Sequence, residues 1–226
     1  MESTVRVEML DIYNHIDKVT AIIVANGSVG YEGIMHVFLT NDALSVWLKS
    51  MREAHSDVEF QYVEDTLGMA VNYVIWNDFM GLSLHGSIDS SLDVTKEDLS
   101  KLTDLVDSYA IMSRLNKGRV PIAEATMQLK NKYVFFAGTM PEEGSKMSQR
   151  NVVRNATFLR RSSNGETYES LAVYLTEDSA RKACTEKTPI ASCKLSELMQ
   201  LWDGMYPVII EPKRSFCVEF SPISLI

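Results

Sequence analysis

Apolar positions along the chain repeat with two periods, and the switches between them mark out the elements. Residues 19–25, "VTAIIVA", form an apolar run ending at Asn26-Gly27, and a second run closes in "IMHVFL". Asn-Gly between such runs predicts a tight hairpin, because both central residues need positive φ. After Thr40 the period lengthens. Leu44, Trp47, Leu48 and Met51 fall at i, i+3, i+4 and i+7, a helical stripe that Thr40 would cap, with Asp42 suiting the positive end of the helix dipole. Val58, Phe60 and Tyr62 then alternate as a strand. "EDTLGMAV" fits either period. "NYVIW" is expected as a buried strand, "NDFMG" as a turn and "LSLHG" as the partner strand.

The second half repeats the order. "IAEATMQLKNKYVFFAG" reads as helix then strand, and "NATFLRRSSNGETYESLAVYL" as a hairpin around Asn164-Gly165. A weak stripe after Thr176 (Ala180, Ala183, Cys184, Lys187) predicts a shorter helix. "PIASCKL" is extended, and Ser196 is expected to cap "ELMQLW", which Gly204 stops. "PVII" and "FCVEF" are strands around the turn "EPKRS". The phrases "MHVFLTNDAL" (35–44) and "LAVYLTEDSA" (171–180) align position for position. This predicts an α+β chain made by tandem duplication of one module, with mixed or antiparallel sheets and helices. The boundaries are 1–92 for the first module, 93–118 for a helical connector and 119–226 for the second, which spends an extra loop and strand at 141–161. In the connector, Leu102, Leu105, Tyr109 and Met112 form one apolar stripe.

Composition narrows the class. Hydrophobic residues make up 46% and charged residues 23% of 226, which is ordinary for a globular protein. No apolar run approaches the about 20 residues of a membrane helix, and the N-terminus lacks the basic and apolar regions of a signal peptide. Neither a membrane nor a secretory destination is expected, and the three cysteines, Cys184, Cys193 and Cys217, suit core thiols in a reducing, cytoplasmic compartment. The net charge of −8 argues against nucleic acid. Charge is unequal: residues 1–118 carry 18 acidic and 8 basic side chains, and residues 119–226 carry 12 and 14.

Candidate chemistry is sparse. His15, His36, His55 and His85 include no i, i+4 pair and no HExxH. GxSxG and GxxxxGK[ST] are absent, and "NGSVGYEG" precedes a strand and reads as a turn. The adjacent pairs Glu64-Asp65 and Glu142-Glu143 point apart and read as solvated surface. No catalytic, metal or cofactor residues are assigned. Trp47, Trp76 and Trp202 are expected in the core. The unusual feature is basic: Lys146, Arg150, Arg154, Arg160 and Arg161 crowd the extra loop and strand. They read as a solvated hairpin offsetting an acidic protein, or as a docking patch for an acidic protein surface. No feature of the sequence sets an oligomeric state.

The second half, over roughly residues 120–220, resembles the SseB-like proteins. The resemblance lies in the lead helix and "KYVFFAG", "LAVYLTEDSARKA", "CKLSELMQLWDG" and "PVIIEP". The first half is a more divergent likeness, through "HVFLTNDALSVWL" and "NYVIWNDFMGLSL". The family's turn after the apolar strand is Asn-Pro-like; here it is Glu211-Pro212 and Asn77-Asp78. The resemblance implies an α+β fold and no established activity. The expectation is a non-enzymatic binding or protein-interaction module. The alternative is a small-molecule enzyme with its site in a cleft between the modules.

Overall fold

The structure, a computed structural model, describes residues 12–87, 90–140, 156–185, 187–201 and 206–221. It is α+β, with mixed and antiparallel sheets, and divides into two compact units, Met1–Ala110 and Ile111–Ile226. Among the described residues no helix is long and apolar enough to cross a membrane.

Unit 1 runs β1 (Val19–Ala25), β2 (Ser28–Val29), β3 (Ile34–Phe38), α1 (Asn41–Ala54), β4 (Phe60–Thr66), α2 (Leu67–Trp76), β5 (Gly81–Ser87), β6 (Ser90–Thr95), α3 (Lys96–Ser100) and α4 (Thr103–Asn116). The last residues of α4 belong to unit 2. Strand β1 is flanked by β4 and β3, both antiparallel to it. Strand β3 runs parallel to β5, and β5 pairs antiparallel with β6. Asn26 and Gly27 take φ of 49° and 78°, as the expected tight turn requires. Alternation sends Ile23, Ala25, Phe38 and Phe60 to one face, where α1 covers them with Ala43, Leu44 and Leu48. The intervening Ile22, Val24, Met35, Val37 and Leu82 are equally buried and belong to the other face.

Three expectations for this half are corrected. "NYVIW" is not a strand: it completes α2, whose Leu67, Ala70, Val71 and Val74 are buried at i, i+3, i+4 and i+7. A short apolar run carries no period of its own. Residues 93–95, expected to open the connector, instead end β6, and the connector's buried stripe passes through Val106 rather than the half-buried Leu105. Trp76 is 64% exposed. Its indole N–H donates to Asp107 Oδ1, which also accepts from Asn72 (2.8 Å each), so one carboxylate ties α2 to α4.

Unit 2 continues with α5 (Ile122–Leu129), β7 (Tyr133–Ala137), β8 (Phe158–Ser163), β9 (Glu166–Val173), α6 (Glu177–Ala183), β10 (Ile190–Lys194), α7 (Leu195–Leu201), β11 (Val208–Ile210) and β12 (Val218–Phe220). Strand β7 pairs antiparallel with β10 and meets the end of β9 through a two-way antiparallel bridge between Phe135 and Tyr174. Strand β9 runs parallel to β11, which pairs antiparallel with β12. The path β10–β7–β9–β11–β12 thus follows the order and senses of β4–β1–β3–β5–β6. The counterpart of β1 is β7, not the first arm of the Asn164-Gly165 hairpin. That arm, β8, is the extra strand and lies along β9. Helix α7 starts at Leu195, so Ser196 is not its cap; Glu197 instead accepts the Lys194 N–H at 3.1 Å. Trp202 and Gly204 lie outside the described residues.

Both threonines cap as expected. Thr40 (φ −136°, ψ 146°) accepts from the Ala43 N–H, and Thr176 (φ −135°, ψ 151°) from the Ser179 N–H. Removing either hydroxyl frees a terminal donor, so Thr40→Ala and Thr176→Ala should each cost about 1 kcal/mol. Urea melts of the two variants would measure it; unchanged midpoints would show that neither cap carries weight.

Candidate functional site

Of the basic patch, Lys146, Arg150 and Arg154 lie outside the described residues. Arg160 and Arg161 are exposed on β8 and, as neighbours on a strand, point to opposite faces. The Arg161 side chain is 3.7 Å from Glu219 Oε2, a carboxylate that also accepts from the hydroxyls of Tyr168 and Ser170. One of the two described arginines is therefore already matched within its own sheet.

The structure assembles a histidine cluster from residues that are unrelated in sequence. Strands β3 and β5 pair so that His36 lies opposite Ser83 and Phe38 opposite His85, and β6 sets Asp93 opposite Ser83. His36 Nδ1 is 3.3 Å from His85 Nε2, which is also 3.3 Å from the Ser83 hydroxyl. The His85 ring stacks on Phe38 at 4.3 Å, and Trp47 of α1 lies 5.0 Å from His36. Burial is the main reason His36 is held down to about 4, the nearby His85 adds to it, and Asp93 and Glu32 oppose it. His85 is lowered by burial against the pull of Asp93. Both imidazoles are therefore neutral at pH 7, and one N–H between them can donate to the other ring or share with Ser83. The signal was hidden because the two histidines lie far apart in sequence and only the parallel pairing of β3 with β5 joins them.

The cluster can move a proton between a hydroxyl and two neutral bases, but other chemistry is not in place. Among the described residues no group of three or more His, Cys, Asp or Glu side chains could hold a metal ion. All three cysteines are free. Burial, with Glu197 nearby, pushes the Cys193 thiol up to about 12, so it is not a thiolate nucleophile. A cleft of about 370 Å³ opens beside the first hairpin, lined by Asn26, Tyr31, Glu32, Val58, Asp78 and Phe79 among others. Neither histidine lines it.

The other feature is an open edge. Among the described residues strand β4 pairs only with β1. The Asn26 N–H donates to the Glu59 carbonyl at 2.9 Å. Alternation from that pair turns the N–H and C=O of Phe60, Tyr62, Glu64 and Thr66 away from β1. Arg52 closes the Phe60 carbonyl at 2.8 Å, and Asp65 Oδ1 takes the Thr66 N–H at 2.8 Å. Among the described residues nothing takes the outward groups of Tyr62 and Glu64. Gln61 through Glu64 are exposed on both faces, with Tyr62 at 50% and Val63 at 47%. Natural sheets usually cover, shorten or charge such an edge.

Comparison of the chain with protein-family models, curated proteins and solved structures finds no match.

Proposed function

We propose that the chain is a non-enzymatic, cytoplasmic protein-interaction protein built from two SseB-like modules. The observation that carries this reading is the open β4 edge, where two residues offer unused backbone groups between exposed Tyr62 and Val63 side chains. The common strand order of the units supports descent from one module. The residues that would make a catalytic reading strong, a positioned nucleophile with an anion-binding partner, were not found in the sequence. Cross-linking the tagged full chain in its native cell, followed by sedimentation of the extract, tests the reading. Reproducible cross-links to one partner in a faster-sedimenting species are expected. A chain that sediments alone, without cross-links, would overturn it.

A second reading, a small-molecule hydrolase, is favoured by the Ser83–His85–His36 cluster. Incubation with a fluorophosphonate probe separates it: phosphonylation at Ser83 that Ser83→Ala abolishes would support an activated serine. No labelling would remove the reading.

A further inference from the structure

We propose that the β4 edge binds an extended peptide segment as an added antiparallel strand, and that the segment carries a basic residue followed by two aliphatic ones. The inference rests on the interaction reading above and names the partner's chemistry. Its first basis is the ladder. The outward N–H and C=O of Tyr62 and of Glu64 form two donor–acceptor pairs two residues apart, the spacing at which an incoming strand bonds to an edge. Arg52 and Asp65 close the groups on either side, which confines the docking stretch to Gln61–Asp65.

Its second basis is the order of the side chains. Along β4, Tyr62 and Val63 form an exposed apolar pair, one on each face. Exposed Glu64 follows, on the same face as Tyr62. An antiparallel strand meets these positions in reverse, so one residue faces Glu64 and the next two face Val63 and Tyr62. Opposite charges and apolar pairs across neighbouring strands are mutually favourable. The sequence around the edge is acidic as well, with Asp57 and Glu59 just before it, so an acidic strand would be repelled. Main-chain bonds supply a site for any extended segment; the order of the side chains selects the basic–aliphatic one.

The test uses the full chain and a fluorescein-labelled heptapeptide, Thr-Thr-Lys-Val-Val-Thr-Ser, by fluorescence anisotropy. The controls are the reversed peptide and one with glutamate in place of the lysine. The forward peptide should bind at least tenfold more tightly than either. Glu64→Lys should weaken it at least tenfold. Tyr62→Pro should do the same, since proline there removes an outward donor and leaves the bonds to β1 in place. Hydrogen exchange should slow at the Tyr62 and Glu64 amides when the peptide is bound. Equal affinity for the three peptides, unchanged affinity in Glu64→Lys, or no slowing at those amides would overturn the proposal. If Tyr62→Pro fails to fold, Glu64→Lys and the exchange measurement decide. Cellular partners that survive Glu64→Lys would remove β4 as the docking edge and leave the interaction reading standing; loss of all partners in the wild-type chain would remove that reading instead.

Discussion

Gly68→Ala is expected to destabilise the protein by about 2–3 kcal/mol. Gly68 sits in the first turn of α2, and its N–H donates to the Ile16 carbonyl at 2.8 Å. A Cβ at this position would lie 2.5 Å from Ile16 Cγ1 and 2.5 Å from the Tyr109 ring. Both side chains are almost fully buried, Ile16 at 0% and Tyr109 at 1% exposure, so neither can swing away without pushing into its own neighbours. Alanine is the better helix former by about 1 kcal/mol, and that gain offsets only part of the overpacking. The position needs glycine for closeness rather than for an unusual backbone angle. Urea melts of the two proteins would decide: a midpoint equal to or above that of the parent would show that Tyr109 has room to move. The double variant Gly68→Ala, Tyr109→Leu should recover part of the loss by trading one volume for another.

A second expected result is a loss of stability on mild acidification that depends on His36. An unfolded histidine titrates near 6.5, whereas in the folded protein His36 titrates at about 4. Between these values the unfolded chain binds the extra proton and the native one does not, so unfolding becomes more favourable as the pH falls. The contribution is fully present above about pH 6.5 and is spent by about pH 4. The groups around the ring set the size of the effect: Trp47 from α1, Phe38 on the same strand, Ser83 and His85 from β5, and the charges of Asp93 and Glu32. Allowing for partial access to water, the loss is on the order of 2 kcal/mol. His85 adds to it in the same direction. His36→Phe keeps a ring beside Trp47 and cannot be charged. Its stability should fall less than the parent's between pH 7 and pH 5, as read from urea midpoints at both values. Parallel slopes for the two proteins would show that His36 is already accessible to protons in the native state.

The local features of this fold were readable from local sequence. Thr40 and Thr176 announced their helices because a cap is set within three residues. Asn26-Gly27 and Asn164-Gly165 announced their turns because the turn demands positive φ of those two residues alone. "NYVIW" was misread because its five residues fit a buried strand as well as the last turns of a helix, and only the buried Leu67–Val71–Val74 seam decides. The Asn164-Gly165 hairpin lies where its turn signal puts it, but its first arm lies along β9 as an added strand, and β7 takes the place that β1 holds in unit 1. Pairing partners are chosen by the sheet, not by the turn. For the same reason His36 and His85 read as separate residues in the sequence, and the β4 edge leaves no mark there. An edge is defined by which neighbour is missing.

The parallel step common to the two units has a consequence for the order in which the chain acquires its shape. Strands β3 and β5 cannot be joined by a tight turn; α1, β4 and α2 must be spooled out between them, and β9 and β11 are separated in the same way by α6, β10 and α7. Closing so long a segment costs entropy before any ladder bond repays it. The β8–β9 hairpin and the capped helices, whose partners are close in sequence, are positioned to form early, and the parallel pair in each unit closes late. In unit 1 that late step is also the one that brings His85 to His36. An intermediate stalled before it would hold two ordinary imidazoles, each able to take a proton near neutrality, so acid would slow the completion of this sheet as well as loosen it once made.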